Sequence, residues 1–437
     1  MLLNPDRPFR PRRLPFFYGW VIVGVGTLGV LASIPGQTMG VSVFTDALID
    51  ATGLTRLQVA NAYLAGTLLS GLTLPFGGAR LDRLGARATA ALAALALGAT
   101  LLYLSHVDAI GDALGGGVPA VLALVVGFFC LRFSGQGMLT MVSRTMLGKW
   151  FDRRRGLASG ISGVFVSFGF GAAPLLFDAW IGRAGWRGAW REMALVVGLG
   201  MAALALLLYR DNPERCGLRM DGDPAATPEE EEARARTERA YTRGQALRTL
   251  AFWALTFAMA TQALVITGIT FHIVDLSASA GMDRSAAVAI FLPMSVVSTV
   301  VGLAGGALAD RLPVRALLVT MMLAQGAAVF ACAHLDSLFW LAVAGFGISG
   351  GLFNPLGTVA YPRFFGRRHL GSIVGVEMMC LVVASALGPS LLAASREHLG
   401  TYLPALYGCL ALPALAIVLG LLFRHPRADA PSRDGVA

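Results

Sequence analysis

Apolar stretches separated by short polar segments follow one another along the whole chain. A helix needs about 20 apolar residues to cross the hydrocarbon core of a bilayer, and the stretches have about that length. We therefore predict an all-α membrane protein with twelve transmembrane helices. The predicted spans are 17–43, 57–77, 88–106, 118–147, 157–179, 189–209, 249–275, 285–308, 315–334, 338–361, 371–395 and 401–423.

The polar stretch at 210–248 divides these spans into two sets of six. It contains the acidic run 229–232, followed by arginines at helical spacing, which predicts a short surface helix stabilised by ion pairs. The predicted organisation is an N-terminal six-helix bundle at 1–209, a cytoplasmic linker at 210–248, a C-terminal six-helix bundle at 249–423 and a cytoplasmic tail at 424–437.

A short charged motif occurs twice in this pattern. Residues 78–87 and 306–315 both read G-x-x-x-D-R-x-x-x-R, and their aspartates, 82 and 310, are 228 positions apart. A repeat in register indicates duplication and predicts two pseudo-symmetric bundles. We expect the Gly to allow close packing, the Asp to accept hydrogen bonds and the Arg side chains to hold the turn at the anionic cytoplasmic face. The candidate gating residues in the motifs are Gly78, Asp82, Arg83, Arg87, Asp310, Arg311 and Arg315.

Composition agrees with a membrane protein and argues against an enzyme. Apolar residues make up 56% of the chain, charged residues 14%, and the mean hydropathy is +0.66, whereas about a quarter of the residues in soluble domains are charged. The sequence has no phosphate-binding loop, no H-E-x-x-H and no G-x-S-x-G motif. Five scattered cysteines form no metal-ligand spacing, so we expect neither a metal nor a cofactor.

The positions of Arg and Lys predict the orientation in the membrane. Most of the 35 basic residues fall on one side, in the N-terminus and in alternate loops such as 148–156 and 210–248. We therefore expect both termini to be cytoplasmic, with the protein in a plasma membrane such as a bacterial inner membrane. We also expect a monomer. The net charge of +9 then follows from topology and contact with anionic lipids, and it requires no nucleic-acid partner.

The doubled motif resembles the signature loop of the major facilitator superfamily, which lies between the second and third helices and recurs between the eighth and ninth. The strings at 17–20, 212–218 and 367–371 resemble bacterial members of its monocarboxylate and oxalate/formate porter group. This resemblance implies a secondary transporter with two six-helix halves that rock around a central site. The partners it implies are a small-molecule substrate, membrane lipids and protons.

Arg132 is predicted to lie deep in the membrane. It is 14 residues after Val118, where the fourth span begins, or about 21 Å along a helix. The string Arg132-Phe-Ser-Gly135-Gln136-Gly137 is similar to the superfamily's helix 4 signature. An ionisable group at this depth is costly unless it is paired or faces water. Two roles stay open: binding an anionic substrate or proton-linked carboxylate, and a structural role bonded to carbonyls of neighbouring helices.

Glu377 is an acidic residue inside the eleventh span, about 9 Å from its cytoplasmic start. One interpretation is a carboxylate that couples transport to a proton gradient. The other is an ion pair with Arg83 or Arg87 that closes the cytoplasmic side.

Uncharged polar residues near the middle of predicted helices complete the candidate site. The candidate substrate-binding residues are Gln37, Thr38, Gln262 and Asn354, in helices that line the central cavity of the resembled family. Two of them are next to sequences, Ser33-x-Pro35 and Asn354-Pro355, that can also mark helix distortion. His272 and Asp275, near the outer end of the seventh span, form either a gate or a hydrated interfacial end.

The chain departs from the porter group in one respect. That group holds the substrate carboxylate with a basic residue in helix 8 and a Lys in helix 1 or 11, whereas span 285–308 has no Arg and the single lysine is Lys149 in a predicted loop. Arg132 is the remaining buried partner for an anion. We therefore predict a proton-coupled transporter, symporter or antiporter, of a small organic anion. The alternatives are a receptor that does not transport and an exporter of a neutral, drug-like compound.

Overall fold

The computed structural model describes residues 4–223, 240–282 and 290–423. Within these ranges the chain is helical and contains no β-strand. The α-helices of the N-terminal part are α1 (Gly19–Ala32), α2 (Thr38–Ser42), α3 (Thr45–Thr52), α4 (Arg56–Leu84), α5 (Ala86–Leu104), α6 (Val107–Ala113), α7 (Val118–Leu131), α8 (Thr140–Trp150), α9 (Arg155–Met193) and α10 (Met201–Leu208). Those of the C-terminal part are α11 (Arg243–Leu247), α12 (Leu250–Ser279), α13 (Phe291–Ala309), α14 (Val314–Ala333), α15 (Leu335–Phe365), α16 (Leu370–Leu399) and α17 (Leu403–Leu422).

The described helices account for the predicted number of membrane crossings. Ten are long and apolar enough to span a bilayer, counting the run Arg155–Leu208 as one. That run is interrupted at Gly185, whose φ of 69° is not helical, so it supplies two crossings. The shorter apolar helix α1, continued by α2, supplies the first. These crossings confirm a twelve-helix, multi-pass membrane protein.

Helix ends differ from the apolar boundaries in the sequence. The second predicted span ends at 77, but α4 continues through Asp82 and Arg83 to Leu84. Residues 78–84 of the first motif are therefore the last turns of a helix rather than a loop, and Gly85, with φ 89°, makes the turn into α5. Similarly, α8 continues to Trp150 and includes Lys149. Charged residues can continue a helix beyond the apolar run where they are exposed, as Arg83 is, or where they lie beside an opposite charge, as Asp82 and Lys149 do.

Some predictions concern residues outside the described ranges. The surface helix predicted around 229–232 lies in the stretch 224–239, the start of span 285–308 lies in 283–289, and the tail is 424–437.

Contacts between Cα atoms divide the chain into two compact units. Unit 1 contains Met1–Asp152, Ser162–Asp223 and Val374–Val383; unit 2 contains Arg153–Ile161, Pro224–Ile373 and Ala384–Ala437. Two short segments thus belong to the unit formed mainly by the other half of the sequence, one at the start of α9 and one inside α16. The division into two six-helix bundles at 1–209 and 249–423 stays a prediction.

Candidate functional site

The first membrane crossing is broken in the middle. Between α1 and α2, Ile34–Gly36 forms a single 3₁₀ turn that contains Pro35. Proline lacks an N–H group and clashes with the carbonyl four residues earlier, so an α-helix cannot run through it undisturbed. The distortion expected at Ser33-x-Pro35 is confirmed, and it leaves the carbonyl of Gly36 able to accept a hydrogen bond from a side chain.

The fourth crossing is also irregular, at the point where it contacts the first crossing. Residues Arg132–Leu139 form a π-helix between α7 and α8, and π segments inside α-helices are frequent at functional sites. Backbone contact explains the first glycine of this segment: a Cβ on Gly135 would lie 3.0 Å from the Cα of Gly36, and a Cβ on Gly36 would lie 2.6 Å from the Leu131 carbonyl oxygen. The helix 4 motif therefore allows the broken first crossing to approach closely.

Arg132 projects into this junction and is only 2% exposed. Its Nη1 donates to the Gly36 carbonyl oxygen at 3.1 Å and to Thr38 Oγ1 at 3.4 Å. Its guanidinium carbon lies 5.4 Å from the centre of the Tyr63 ring, and the Tyr63 hydroxyl donates to Thr38 Oγ1 at 3.0 Å. Arg132 Nε is buried and has no hydrogen-bond partner among the described residues. The side chain thus combines a structural contact with an unused donor.

Gln37 extends this polar cluster along the broken crossing. Its Nε2 donates to Ser33 Oγ at 3.1 Å and to Thr140 Oγ1 at 3.5 Å, and Thr140 donates to Ser33 at 3.0 Å. Thr140 follows directly after the π-helix, so Gln37 and Arg132 both join the first crossing to the fourth.

Sequence reasoning missed two members of this site. Gln136, one turn beyond Arg132 in the π-helix, has a buried Oε1 without a partner in the described part of the chain. The sequence carries no signal for Tyr63, because an aromatic residue in an apolar span is most often a packing residue. Gln136 could have been found, since it is part of the helix 4 motif and is polar at the depth of Arg132.

The remaining two candidate substrate residues belong to unit 2. Gln262 in α12 is buried, and Asn354 in α15 is half-buried. Helix α15 continues through Pro355, so Asn354-Pro355 does not break the helix in the way that Pro35 does. The structure therefore brings together Gln37, Thr38 and Arg132, and places Gln262 and Asn354 in the other unit.

In the second motif, Asp310 acts on a helix N-terminus. Its Oδ1 accepts from the Gly156 N–H at 2.6 Å and its Oδ2 accepts from the Leu157 N–H at 3.1 Å. These are first-turn amides of α9, which have no partner within their own helix. A Cβ on Gly156 would overlap the Gly306 carbonyl oxygen, so Gly306 and Asp310 together seat the start of α9 inside unit 2.

In the first motif, Asp82 lies at the end of α4 beside the only lysine of the chain. Lys149 Nζ is 3.7 Å from Asp82 Oδ1, and both side chains are nearly buried. Nearby, a Cβ on Gly375 of α16 would lie 2.8 Å from the Leu74 carbonyl oxygen of α4. Segment 374–383 therefore packs directly against α4 within unit 1.

The last Arg of each motif binds the C-terminal end of another helix. Arg87 Nε donates to the Leu206 carbonyl oxygen at 2.6 Å, in the last turn of α10. Arg315 donates to the carbonyl oxygen of Phe423, which directly follows α17. Unpaired carbonyls and the negative end of the dipole favour a cation at a helix C-terminus. Arg83 and Arg311, by contrast, are exposed.

Glu377 lies on α16 in the segment that belongs to unit 1, and it is 3% exposed. The charged residue that interacts with it is Arg144 of α8. The pairing with Arg83 or Arg87 that the sequence suggested is not found, because Arg83 is exposed and Arg87 is bound to the end of α10. The sequence did contain a signal for the interaction with Glu377, since Arg144 is a second Arg inside a predicted span.

The chain matches the family model described as Major Facilitator Superfamily over residues 26–389 and 274–436. These two regions together cover most of the sequence.

Several curated relatives are transporters. The riboflavin transporter RibJ of Trypanosoma brucei brucei is 30% identical over 45% of this chain and 35% of its own length. The oxalate:formate antiporter of Oxalobacter formigenes is 22% identical over 52% of this chain and 48% of its own length. Monocarboxylate transporter 11 of Mus musculus is 28% identical over 66% of this chain and 64% of its own length.

Solved structures share the fold. The proton:xylose symporter XylE, bound to a bromodeoxyglucose, superposes with a TM-score of 0.68 at 16% identity, covering 92% of this chain and 94% of that one. The human organic anion transporter TETRAN superposes with a TM-score of 0.66 at 14% identity, covering 91% of this chain and 98% of that one.

Proposed function

The chain belongs to the Major Facilitator Superfamily, whose members carry small solutes across membranes and are not enzymes, and we propose that it carries a small organic anion such as a carboxylate. The observation on which this proposal rests is the buried guanidinium of Arg132 with its unpaired Nε. A buried charge without a counter-ion is costly in a membrane protein. A substrate anion would supply the missing charge and the missing hydrogen-bond acceptor.

The surroundings of Arg132 suit such an anion. The broken first crossing and the π segment of the fourth bring a backbone carbonyl, a hydroxyl and an aromatic face to one place, and transporters commonly build their sites from interrupted helices. Gln136 adds an amide with an unpaired oxygen, which can bind a hydroxyl or N–H group on the same solute. Gln37 and Thr38 would position the solute, and Gln262 and Asn354 stay predicted substrate-binding residues of unit 2.

The relatives support this substrate class in part. Two carry carboxylates by name, oxalate with formate and monocarboxylates, and a third carries riboflavin. The matches to the oxalate:formate antiporter and the riboflavin transporter span less than half of each relative's length, so their substrates serve as test compounds here. The positive charge of Arg132 favours an anionic substrate over a neutral one.

We propose that a proton gradient drives the transport, in a plasma membrane with both termini cytoplasmic. The orientation is supported by the excess of Arg and Lys in alternate loops. The motif residues would act as gating residues, since Asp310 and Gly306 seat the first turn of α9, and Gly375 and Glu377 pack in unit 1.

Ligand binding to purified protein tests the role of Arg132. Thermal-shift and calorimetric titrations would use oxalate, short monocarboxylates and riboflavin. We expect at least one carboxylate to bind, Arg132→Ala to abolish measurable binding, and Arg132→Lys to weaken it about 10- to 100-fold, because Lys keeps the charge and loses the planar geometry. Arg56→Ala is the control, since Arg56 forms an exposed ion pair with Asp46 and should bind as the wild type does.

Other outcomes would contradict the proposal. Wild-type affinity in Arg132→Ala would assign this residue to structure alone. Binding of riboflavin without any carboxylate would favour a neutral substrate. Binding without uptake into proteoliposomes would favour a receptor.

A further inference from the structure

A second polar cluster lies in unit 2, where α12, α16 and the start of α17 meet. It consists of His272 and Asp275 on α12, Pro389 and Arg396 on α16, and Tyr402, which precedes α17. We name these five residues the His272 cluster. Just along the same two helices, α12 and α16 are in backbone contact, since a Cβ on Gly268 would lie 2.9 Å from the Gly388 carbonyl oxygen.

Two hydrogen atoms in the cluster can be assigned from acceptor chemistry. His272 Nε2 lies 2.9 Å from the Pro389 carbonyl oxygen; a carbonyl only accepts, so Nε2 carries a hydrogen and donates it. The Tyr402 hydroxyl donates to Asp275 Oδ2 at 2.7 Å. Burial, together with the hydrogen bond to Asp275 and its charge, raises the pKa of Tyr402 to about 12. Tyr402 therefore keeps its single proton and directs it at the carboxylate.

The third contact depends on the protonation of His272. His272 Nδ1 lies 3.3 Å from the Tyr402 hydroxyl oxygen. In the neutral ring with hydrogen on Nε2, Nδ1 presents a lone pair to an oxygen whose proton is already donated, and no hydrogen bond forms. In the imidazolium form, Nδ1–H donates to that oxygen. Proton binding thus completes a chain of hydrogen bonds in which His272 donates to Pro389 and Tyr402, and Tyr402 donates to Asp275.

The His272 cluster contains two charged residues besides His272, Asp275 and Arg396. Asp275, on the helix of His272, is also 3.3 Å from Arg396 Nε, and both side chains are about half exposed. The guanidinium of Arg396 on α16 lies over the Tyr402 ring. Among the described residues, Asp275 and Arg396 are thus the oppositely charged groups that contact Tyr402, the hydrogen-bond partner of His272.

A second His–Tyr pair in the same unit lacks this property. The Tyr407 hydroxyl lies 3.1 Å from His334 Nε2, and no carboxylate accepts from Tyr407 in the described ranges. Its hydroxyl can donate to the neutral ring, so this contact forms with or without a bound proton. The pair is a natural internal control.

We propose that His272 is the proton-binding residue of this transporter. The proposal rests on the proton-driven transport proposed above. A proton on Nδ1 joins α12, α16 and the start of α17 through a continuous hydrogen-bond chain, and its loss opens the chain at the contact between His272 and Tyr402. Because α12 and α16 are packed backbone to backbone beside it, the bound proton changes how tightly these two helices are held.

Nuclear magnetic resonance of ¹³C-histidine-labelled protein in lipid nanodiscs tests proton binding without any substrate. The chain has 6 histidines, and His272→Gln assigns the signal. We expect His272 to bind a proton, and Tyr402→Phe to bind it about tenfold more weakly, since a hydrogen bond from a charged donor is lost. Asp275→Ala should act in the same direction, because Tyr402 can then donate to the neutral ring.

Tyr407→Phe should leave proton binding by His272 unchanged. A His272 signal that shows only the neutral ring at every pH at which the protein is folded, or one that Tyr402→Phe leaves unaffected, would overturn the proposal. These results do not depend on knowing the substrate, and Tyr402→Phe decides the question if His272→Gln does not fold.

Transport supplies the second readout. In proteoliposomes with a carboxylate that the wild type accumulates along a pH gradient, we expect His272→Gln to keep exchange without a gradient and to lose accumulation. Retained accumulation would overturn the role of His272. If the wild type carries no carboxylate at all, the proposed function fails, while the resonance experiment still decides whether His272 binds the proton.

Discussion

Glycines carry much of the close packing at the residue scale. Gly135 and Gly36 allow the broken first crossing to touch the π segment of the fourth, and Gly156 and Gly306 allow α9 to touch α13. At these positions a single methyl group would meet backbone atoms, which cannot move aside as the end of a flexible side chain can.

Replacement of Gly156 by Ala tests this packing. The added Cβ would overlap the Gly306 carbonyl oxygen and crowd Ala309 and Asp310. We expect a loss of about 1–3 kcal/mol in the free energy of unfolding, as for other overpacked sites, measured as a lower Tm by tryptophan fluorescence.

The matched control for that change is Gly163→Ala on the same helix, where a Cβ would meet nothing within 4 Å. Alanine favours the helix more than glycine does, so this variant should be as stable as the wild type or more so. Equal destabilisation of the two variants would show that the contact with Gly306 does not limit the stability.

Helix ends are the features that the two motifs control at the element scale. Asp310 accepts from the first-turn amides of α9, and the last Arg of each motif donates to carbonyls at the end of α10 or after α17. A carboxylate at a helix N-terminus and a guanidinium at a C-terminus both complement the helix dipole. The duplicated motif therefore joins the ends of helices that are distant in the sequence.

Neutralising Asp310 should loosen the start of α9. Asparagine keeps one accepting oxygen, so Asp310→Asn should lose one of the two hydrogen bonds and the charge, with a cost of about 1–2 kcal/mol. We expect faster hydrogen–deuterium exchange at Gly156 and Leu157, measured by mass spectrometry. Asp50→Asn makes the same charge change at an exposed residue and should leave this exchange unaltered; unchanged exchange in Asp310→Asn would contradict the capping role.

The proposed coupling of transport to protons concerns the whole molecule, and Glu377 and His272 are the candidate acid–base groups for it among the described residues. Glu377 is buried beside Arg144 in unit 1, whereas His272 has a hydrogen bond that forms only when it is protonated. The nearby guanidinium makes Glu377 a candidate gate partner, and its burial inside the membrane makes it a candidate proton carrier.

Glu377→Gln separates these roles. Glutamine keeps the shape and hydrogen-bonding capacity of glutamate but cannot ionise, so a gate partner would be weakened throughout the transport cycle. We expect substrate exchange and gradient-driven uptake in proteoliposomes to fall together, by a similar factor. A selective loss of gradient-driven uptake would instead identify Glu377 as the coupling carboxylate.

Sequence alone determined the class of this protein. The twelve crossings follow from apolar runs whose length matches the bilayer, and the duplication follows from two motifs in register. These features are local or periodic, so each can be recognised without knowing which helices touch. The depth of Arg132 and the break at Pro35 follow from position along one helix and from the chemistry of proline, and they too were predictable.

Only the tertiary structure decided the partners. Glu377 interacts with Arg144 rather than with Arg83 or Arg87, Asp310 caps α9, and the His272 cluster joins three helices. The Arg132 guanidinium likewise lies over the ring of Tyr63, which is distant in the sequence. The physical reason is that hydrogen bonds and ion pairs act over a few ångströms between residues far apart in the sequence, and in apolar helices of nearly uniform hydropathy no periodic pattern marks which face meets which neighbour.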